Sequence, residues 1–470
     1  MLTRSERRLR PLPVVAAVLG VLLVGVAATP AHAESVRARQ WHLDAMQADE
    51  MWETSTGSGI TVAVIDSGVD DSLADLKGQV IDGKDYSSQS GDEHTDLEGH
   101  GTGIAALIAA TGARGSLDGS YGLAPGAKIL PVRMRYATED FGQVDSKAEY
   151  SRVLTQAIRY AADSPARIIN ISMGSSNAPG RQNVGTPELA SAVRYALDKG
   201  KLIFAAVGNS GNKANLIEYP AATPGVVGVG AADQDAKALP MSQTGPQVDL
   251  AAPGTDMIHA CTEGTQVCRS NGTSDATAIA SASAALIWAK HPDWTNNQVL
   301  RVMLNTAGKP KNGDERTDYI GYGVVRPRVA LSNPGDPGPA DEYPLPDLAA
   351  AAPPSPSPGA SEHNSSPSPG EARREEKHGS ASAAASEDDN TALWIAAGIG
   401  AAALLSAAIA VPWVRGRRRS AQAPPAAPQP PTYSPYSPYS PQQQYPPLGP
   451  PQGHVTGTPP EGAPGPGHHR

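Results

Sequence analysis

Cysteine is nearly absent from this 470-residue chain: Cys261 and Cys268 are the only two. Six residues lie between them, which fits neither a C-x-x-C redox motif nor a zinc site. The chain has no basic stripe either. Its formal net charge is -9, and the dense Arg clusters flank apolar segments instead of lining the folded part, which argues against a nucleic-acid partner. Leu, Ile, Val and Phe become scarce after residue 333, outside one apolar run, while many of the 44 prolines gather there. Such a composition cannot build a core, so the folded part is expected within the first 330 residues even though the length allows two or three domains.

What is present at the N-terminus is Arg4, Arg7, Arg8 and Arg10, an apolar run from Val14 to Ala28, then Ala31-His32-Ala33. This is the pattern of a secretory signal peptide cleaved after Ala33; the alternative is an uncleaved signal anchor. Export would take the two cysteines to a disulfide-permissive compartment, and one short-loop disulfide between them is the expectation. A second apolar segment, Ala392 to Val414, would be about 35 Å long as a helix, enough to cross a hydrocarbon core of roughly 30 Å. Glu387, Asp388 and Asp389 precede it, and Arg415, Arg417, Arg418 and Arg419 follow. The positive-inside rule then puts the tail in the cytoplasm and the folded part outside. A buried core helix is the alternative, yet this segment lies between two Pro-rich stretches.

The stretch 334–390, with Ser-Pro-Ser-Pro at Ser355 and Ser366, is expected to be a linker whose ends lie about 40 Å apart as a flexible coil. After Arg419 the tail repeats Tyr-Ser-Pro, with its serines at Ser434, Ser437 and Ser440. It is read as disordered, either a polyproline-type ligand or inert. From Gly59 to Leu331 short β-rich runs alternate with helical stretches, which predicts an α/β fold with a mostly parallel sheet. Strands are expected at 61–66, 128–134, 167–173, 202–207, 226–231 and 249–252, and helices at 44–53, 100–110, 147–162, 187–199, 273–290 and 296–306.

Three short blocks carry candidate chemistry. Val62-Ala63-Val64-Ile65-Asp66-Ser67-Gly68 is an apolar strand ending in a carboxylate, and functional groups gather at the carboxyl ends of strands in such sheets. Asp66 alone is equally a turn former or a cap. Gly99-His100-Gly101-Thr102-Gly103 opens a helical run and puts His100 in its first turn, where it is a candidate base, a packed histidine or a phosphate-loop fragment. No Gly-Lys-Ser/Thr follows, so it is not a Walker A loop. Asn271-Gly272-Thr273-Ser274 leads into a long Ala/Ser-rich run, putting Ser274 at a helix N-terminus, where unpaired N–H groups attract negative charge; a capping serine is the bland alternative.

The order Asp66, His100, Ser274 is the one that subtilisin uses. With Asp-Ser-Gly, Gly-His-Gly-Thr and Gly-Thr-Ser, residues 55 to 330 resemble the subtilisin-like serine proteases. That resemblance implies a three-layer α/β fold, a catalytic triad of Asp66, His100 and Ser274, and no cofactor. It also implies that Asn209, in Phe204-Ala205-Ala206-Val207-Gly208-Asn209, donates to the oxyanion beside the Ser274 N–H. Ile171-Ser172-Met173-Gly174 resembles the family's substrate-binding edge strand, so Ser172, Met173 and Gly174 are expected to hold an extended peptide. Two positions depart from the family: Asp275, where an apolar residue is usual, and Ala278, where proline is usual. Asp275 would raise the pKa of His100 or repel acidic substrates. Asp92, Glu93 and Asp96 lack a calcium-loop pattern and are read as a solvated acidic loop, so no metal is expected.

If cleavage follows Ala33, too few residues precede Asp66 for a chaperone-like prodomain. A short extension with Gln40-Trp41-His42-Leu43, the protease, the Pro-rich linker and the C-terminal span together resemble the mycosins. That resemblance implies a membrane-anchored endopeptidase associated with type VII secretion, acting on exported proteins. A structural subunit of a secretion complex and a general surface protease are the alternatives.

Overall fold

The computed structural model describes residues 34–136 and 144–351. The segments expected to be a signal peptide (1–33), the remainder of the linker (352–390), a membrane span (Ala392–Val414) and a cytoplasmic tail (415–470) lie outside the described residues. Among the described residues no helix is long and apolar enough to cross a membrane.

The molecule is organised by a seven-stranded sheet. It contains β1 (Thr61–Asp66), β2 (Lys84–Asp85), β3 (Lys128–Arg133), β4 (Ile168–Ile171), β6 (Leu202–Ala206), β8 (Val227–Ala232) and β9 (Leu250–Pro253), in the order β2-β3-β1-β4-β6-β8-β9, every pairing parallel. Strands buried on both faces read as continuous β-branched and small apolar runs, as Thr-Val-Ala-Val-Ile-Asp does in β1. Alternation then decides the layers. Val62 and Val64 face one core with α4 (His100–Ala109), α7 (Thr273–Lys290), α8 (Asn296–Thr306) and α9 (Pro327–Ser332); Ala63 and Ile65 face the other with α5 (Ser146–Asp163) and α6 (Pro187–Asp198).

Helix α7 runs through the interior and is buried from Ala276 to Trp288. Its many alanines and serines let it pack closely on every side, the expected pattern for a helix that is apolar all round. Asp145 caps α5 and Thr186 caps α6, while Thr295 and Gln298 form a capping box at α8.

Two small antiparallel pairs flank the sheet: β5 (Ser175–Ser176) with β7 (Glu218–Tyr219), and β10 (Met257–Ala260) with β11 (Val267–Ser270). Cys261 and Cys268 are joined by a disulfide that closes the second of these pairs, a hairpin.

Three expectations need correction. The helix expected over 44–53 is broken: α2 (Trp41–Met46) and α3 (Ala48–Trp52) meet at Gln47, whose φ of 57° is left-handed, and α1 (Val36–Arg39) precedes them. The break turns Leu43, Met46 and Met51 together into the core, while Gln40 bonds Tyr121 O and Ile258 O and Trp41 bonds Thr255 O. Second, residues 334–351 do not behave as linker. Arg301 donates to the carbonyls of Pro337, Pro339 and Glu342, Tyr343 donates to Gly225 O, and Leu345 is buried beside α10 (Pro346–Ala350). Third, Ser172–Gly174 is not an edge strand of the sheet. β4 is interior, and its last pairings, to Ile65 and Ala205, are both at Ile171. Ser172 to Gly174 follow the end of β4 and lead into β5 at Ser175.

Candidate active site

The sheet brings the ends of β1, β4 and β6 to one edge, and the N-termini of α4 and α7 meet them there. Asp66 closes β1 and is fully buried. Its Oδ1 accepts from Ser67 N at 2.7 Å and from Tyr136 OH at 3.4 Å, and lies 2.8 Å from His100 Nδ1. His100 is the first residue of α4, and the helix can come this close because residue 101 is glycine: a Cβ there would strike Gly68 O. Asp96 braces the same turn, accepting from Ser67 Oγ at 2.8 Å, Thr102 N at 2.8 Å and Thr102 Oγ1 at 2.6 Å. Asp96 is thus a structural strut and not part of a solvated loop. Among the described residues no group of His, Cys, Asp and Glu is arranged to hold a metal ion.

Burial alone would lower the pKa of His100, but the charge and hydrogen bond of Asp66, then the charges of Asp275 and Asp96, raise it to about 9. A third of the side chain remains exposed, so water screens part of this effect. The carboxylate–imidazole pair therefore strongly favours the imidazolium, the form a general base reaches after taking a proton.

Ser274 is the second residue of α7. Its hydroxyl donates to Ser172 O at 3.0 Å, and Ser172 Oγ donates back to Ser274 O at 3.0 Å. No hydrogen bond joins Ser274 to His100 among the described residues, so the proton would have to turn from the Ser172 carbonyl to the imidazole. Asn209 lies just past the end of β6. Its Oδ1 is held by Thr273 N at 3.0 Å and Thr273 Oγ1 at 3.2 Å, which fixes the amide and leaves Nδ2 as the donor. Asp275 is 5% exposed. Burial pushes its carboxyl up, opposed by the charge of His259, a hydrogen bond from the Ser270 side chain and the charge of His100. His259 Nε2 is 3.0 Å from Ser270 Oγ.

The structure thus gathers Asp66, His100, Ser274, Asn209 and Ser172 at one edge. Tyr136, Asp96, Thr273, Ser270 and His259 were not singled out from the sequence as contributors to this site. Thr273 stood inside the Gly-Thr-Ser block and Asp96 inside the acidic run, but nothing in sequence spacing marks Tyr136 or His259.

A family model described as the subtilase family matches residues 57–323, more than half of the chain. The chain belongs to the subtilase family. A thermophilic serine proteinase from a Bacillus species (strain AK1) is 35% identical over 285 residues, covering 60% of this chain and 65% of that protein. This subtilase therefore spans just under two thirds of that relative's length. Among solved structures, the MycP3 protease from the type VII (ESX-3) secretion system is 30% identical with a TM-score of 0.55, covering 65% of this chain and 90% of that one. A chain of the periplasmic assembly from the ESX-5 inner membrane complex is 28% identical with a TM-score of 0.56, covering 65% and 87%. The fold of this subtilase is thus shared with mycosins of type VII secretion.

Proposed function

We propose that this subtilase is a serine endopeptidase in which Ser274 attacks the peptide carbonyl, His100 is the general base and Asp66 orients and charges the imidazole. What supports this most is the 2.8 Å contact between Asp66 and His100 at the strand edge where α7 presents Ser274. With Nδ1–H committed to Asp66, Nε2 is left to take the serine proton and return it to the leaving amine. The oxyanion then forms between Asn209 Nδ2 and the first-turn N–H of Ser274, at the positive end of a long helix. The chemistry needs no cofactor.

The test is labelling of the full chain with a neutral fluorophosphonate. Wild type should be labelled and Ser274→Ala should not; labelling that survives the substitution overturns the nucleophile assignment.

The same proposal anchors the enzyme through Ala392–Val414, with its catalytic domain outside and its substrates among exported proteins. Its likeness to MycP3 and to a chain of the ESX-5 assembly supports a partnership with a type VII secretion membrane complex. Those likenesses also favour a second reading, a structural subunit of such a complex. Secretion that persists in Ser274→Ala cells while substrate cleavage stops would separate the two.

A further inference from the structure

Glu218 is a half-buried carboxylate that the mechanism above does not use, and its place is informative. It stands on β7, paired with Ser176 of β5, which continues from Ser172–Gly174. A Cβ on Gly174 would lie 2.8 Å from Glu218 Oε2, and a Cβ on Gly208, immediately before Asn209, would lie 2.7 Å from its Cδ. The carboxylate therefore lies against two backbone segments, both of which lack a side chain there. One segment carries Ser172, whose carbonyl accepts from the Ser274 hydroxyl; the other carries Asn209.

A peptide poised for attack has its scissile carbon at Ser274 Oγ, its carbonyl oxygen toward Asn209 and its preceding main chain along Ser172–Gly174. The side chain of the residue that supplies the scissile carbonyl then drops between Gly174 and Gly208, toward Glu218. Gln243 Nε2 donates to Oε1 at 2.8 Å and is itself shared with Ser210 Oγ. No described residue donates a hydrogen bond to Oε2. Burial pushes the Glu218 carboxyl up, opposed by the Gln243 hydrogen bond and then by the charge of Lys147, whose ammonium is itself committed to Ser176 O at 2.6 Å and Ser176 Oγ. A half-buried carboxylate with one oxygen unpaired beside these two segments is best completed by an incoming cation.

Resting on the endopeptidase reading, we infer that Glu218 makes this protease select Lys or Arg as the residue supplying the scissile carbonyl. The site excludes acidic side chains by like charge and leaves apolar ones facing an unpaired carboxylate.

The experiment uses the full chain and two paired sets of probes. Fluorogenic peptides that differ only in Lys, Arg, Leu or Glu at that residue give kcat/KM, and a fluorophosphonate without a peptide part reports Ser274 reactivity separately. Wild type should prefer Lys and Arg over Leu by about tenfold or more, and Glu218→Gln should collapse that ratio by roughly tenfold. The amide oxygen of that variant can still accept from Gln243, so fluorophosphonate labelling should be unchanged. A wild type that prefers Leu, or a Lys-to-Leu ratio unaltered in Glu218→Gln, overturns the inference while intact labelling leaves the endopeptidase reading standing. Loss of labelling in wild type would instead remove that reading, and this inference with it.

Discussion

Asp275 decides more at the level of single residues than its position beside the nucleophile suggests. It is buried, and after Asp66 its charge, followed by that of Asp96, raises the pKa of His100 to about 9. A general base must be neutral to act, so activity should rise with pH through that value. Removing one negative charge makes the imidazolium less favourable and lowers the His100 pKa. The acid limb of the kcat/KM profile in Asp275→Asn should therefore move to lower pH, with activity at pH 7 rising roughly two- to tenfold. The other charged and titratable groups facing His100 are Asp66, Asp96 and Tyr136, and all are kept in this variant. A pH-rate profile read together with labelling at high pH distinguishes the electrostatic effect from damage: an unmoved acid limb with normal labelling would mean that Asp275 does not act on His100. The residue stood out in the sequence only as a departure from the family. Its partners, Ser270 and His259, were invisible there because they come from a hairpin packed against α4, where His259 lies over Gly103.

That hairpin is the element on which the disulfide acts. Cys261 follows β10 and Cys268 lies in β11, shortly before the turn into α7. Closing an eight-residue loop restricts the unfolded chain by about 2.5 kcal/mol in the loop-entropy picture. Replacing both cysteines by serine should lower unfolding free energy by roughly 1–2.5 kcal/mol, measured by denaturant titration, while fluorophosphonate labelling persists in the folded variant. A loss of labelling without a loss of stability would instead show that the hairpin positions Ser274. The long buried strands and the long helices were legible in the sequence because their periods are unambiguous, and the ends of β1, α4 and α7 fell where the Asp66, His100 and Ser274 blocks implied. What was not legible came from tertiary packing. Gln47 turns left-handed because the Trp41–Trp52 segment must bend onto the core, and β5, β7, β10 and β11 are too short to show a period. The interior position of β4 depends on strand order, which local pattern does not contain. Likewise the Pro-rich composition after residue 333 hid a strap whose affinity for the domain rests on backbone carbonyls, a group every residue carries.

That strap changes what the whole molecule is expected to do at a membrane. Residues 337 to 347 are tied to α8 by Arg301, Thr295 and Asn297, and to the loop before β8 by Tyr343 and Asp347. The tether of the proposed topology thus does not begin at Pro334, since residues 337 to 347 are bound to the domain. If residues 352–390 follow their composition, they span about 35 Å as a coil, somewhat less than the full linker would. A protease added outside intact cells needs an accessible, unpaired stretch of backbone, so it should cut between residue 352 and the segment starting at Ala392 and spare the strap. The released fragment should end beyond Ala351 and should still react at Ser274 with a fluorophosphonate. Mass spectrometry of its C-terminus is the direct measurement. Complete protection on intact cells, with release only after lysis, would reverse the topology. A fragment ending between residues 334 and 345 would mean instead that the strap detaches, in which case Arg301→Ala should make no difference to where the cut falls.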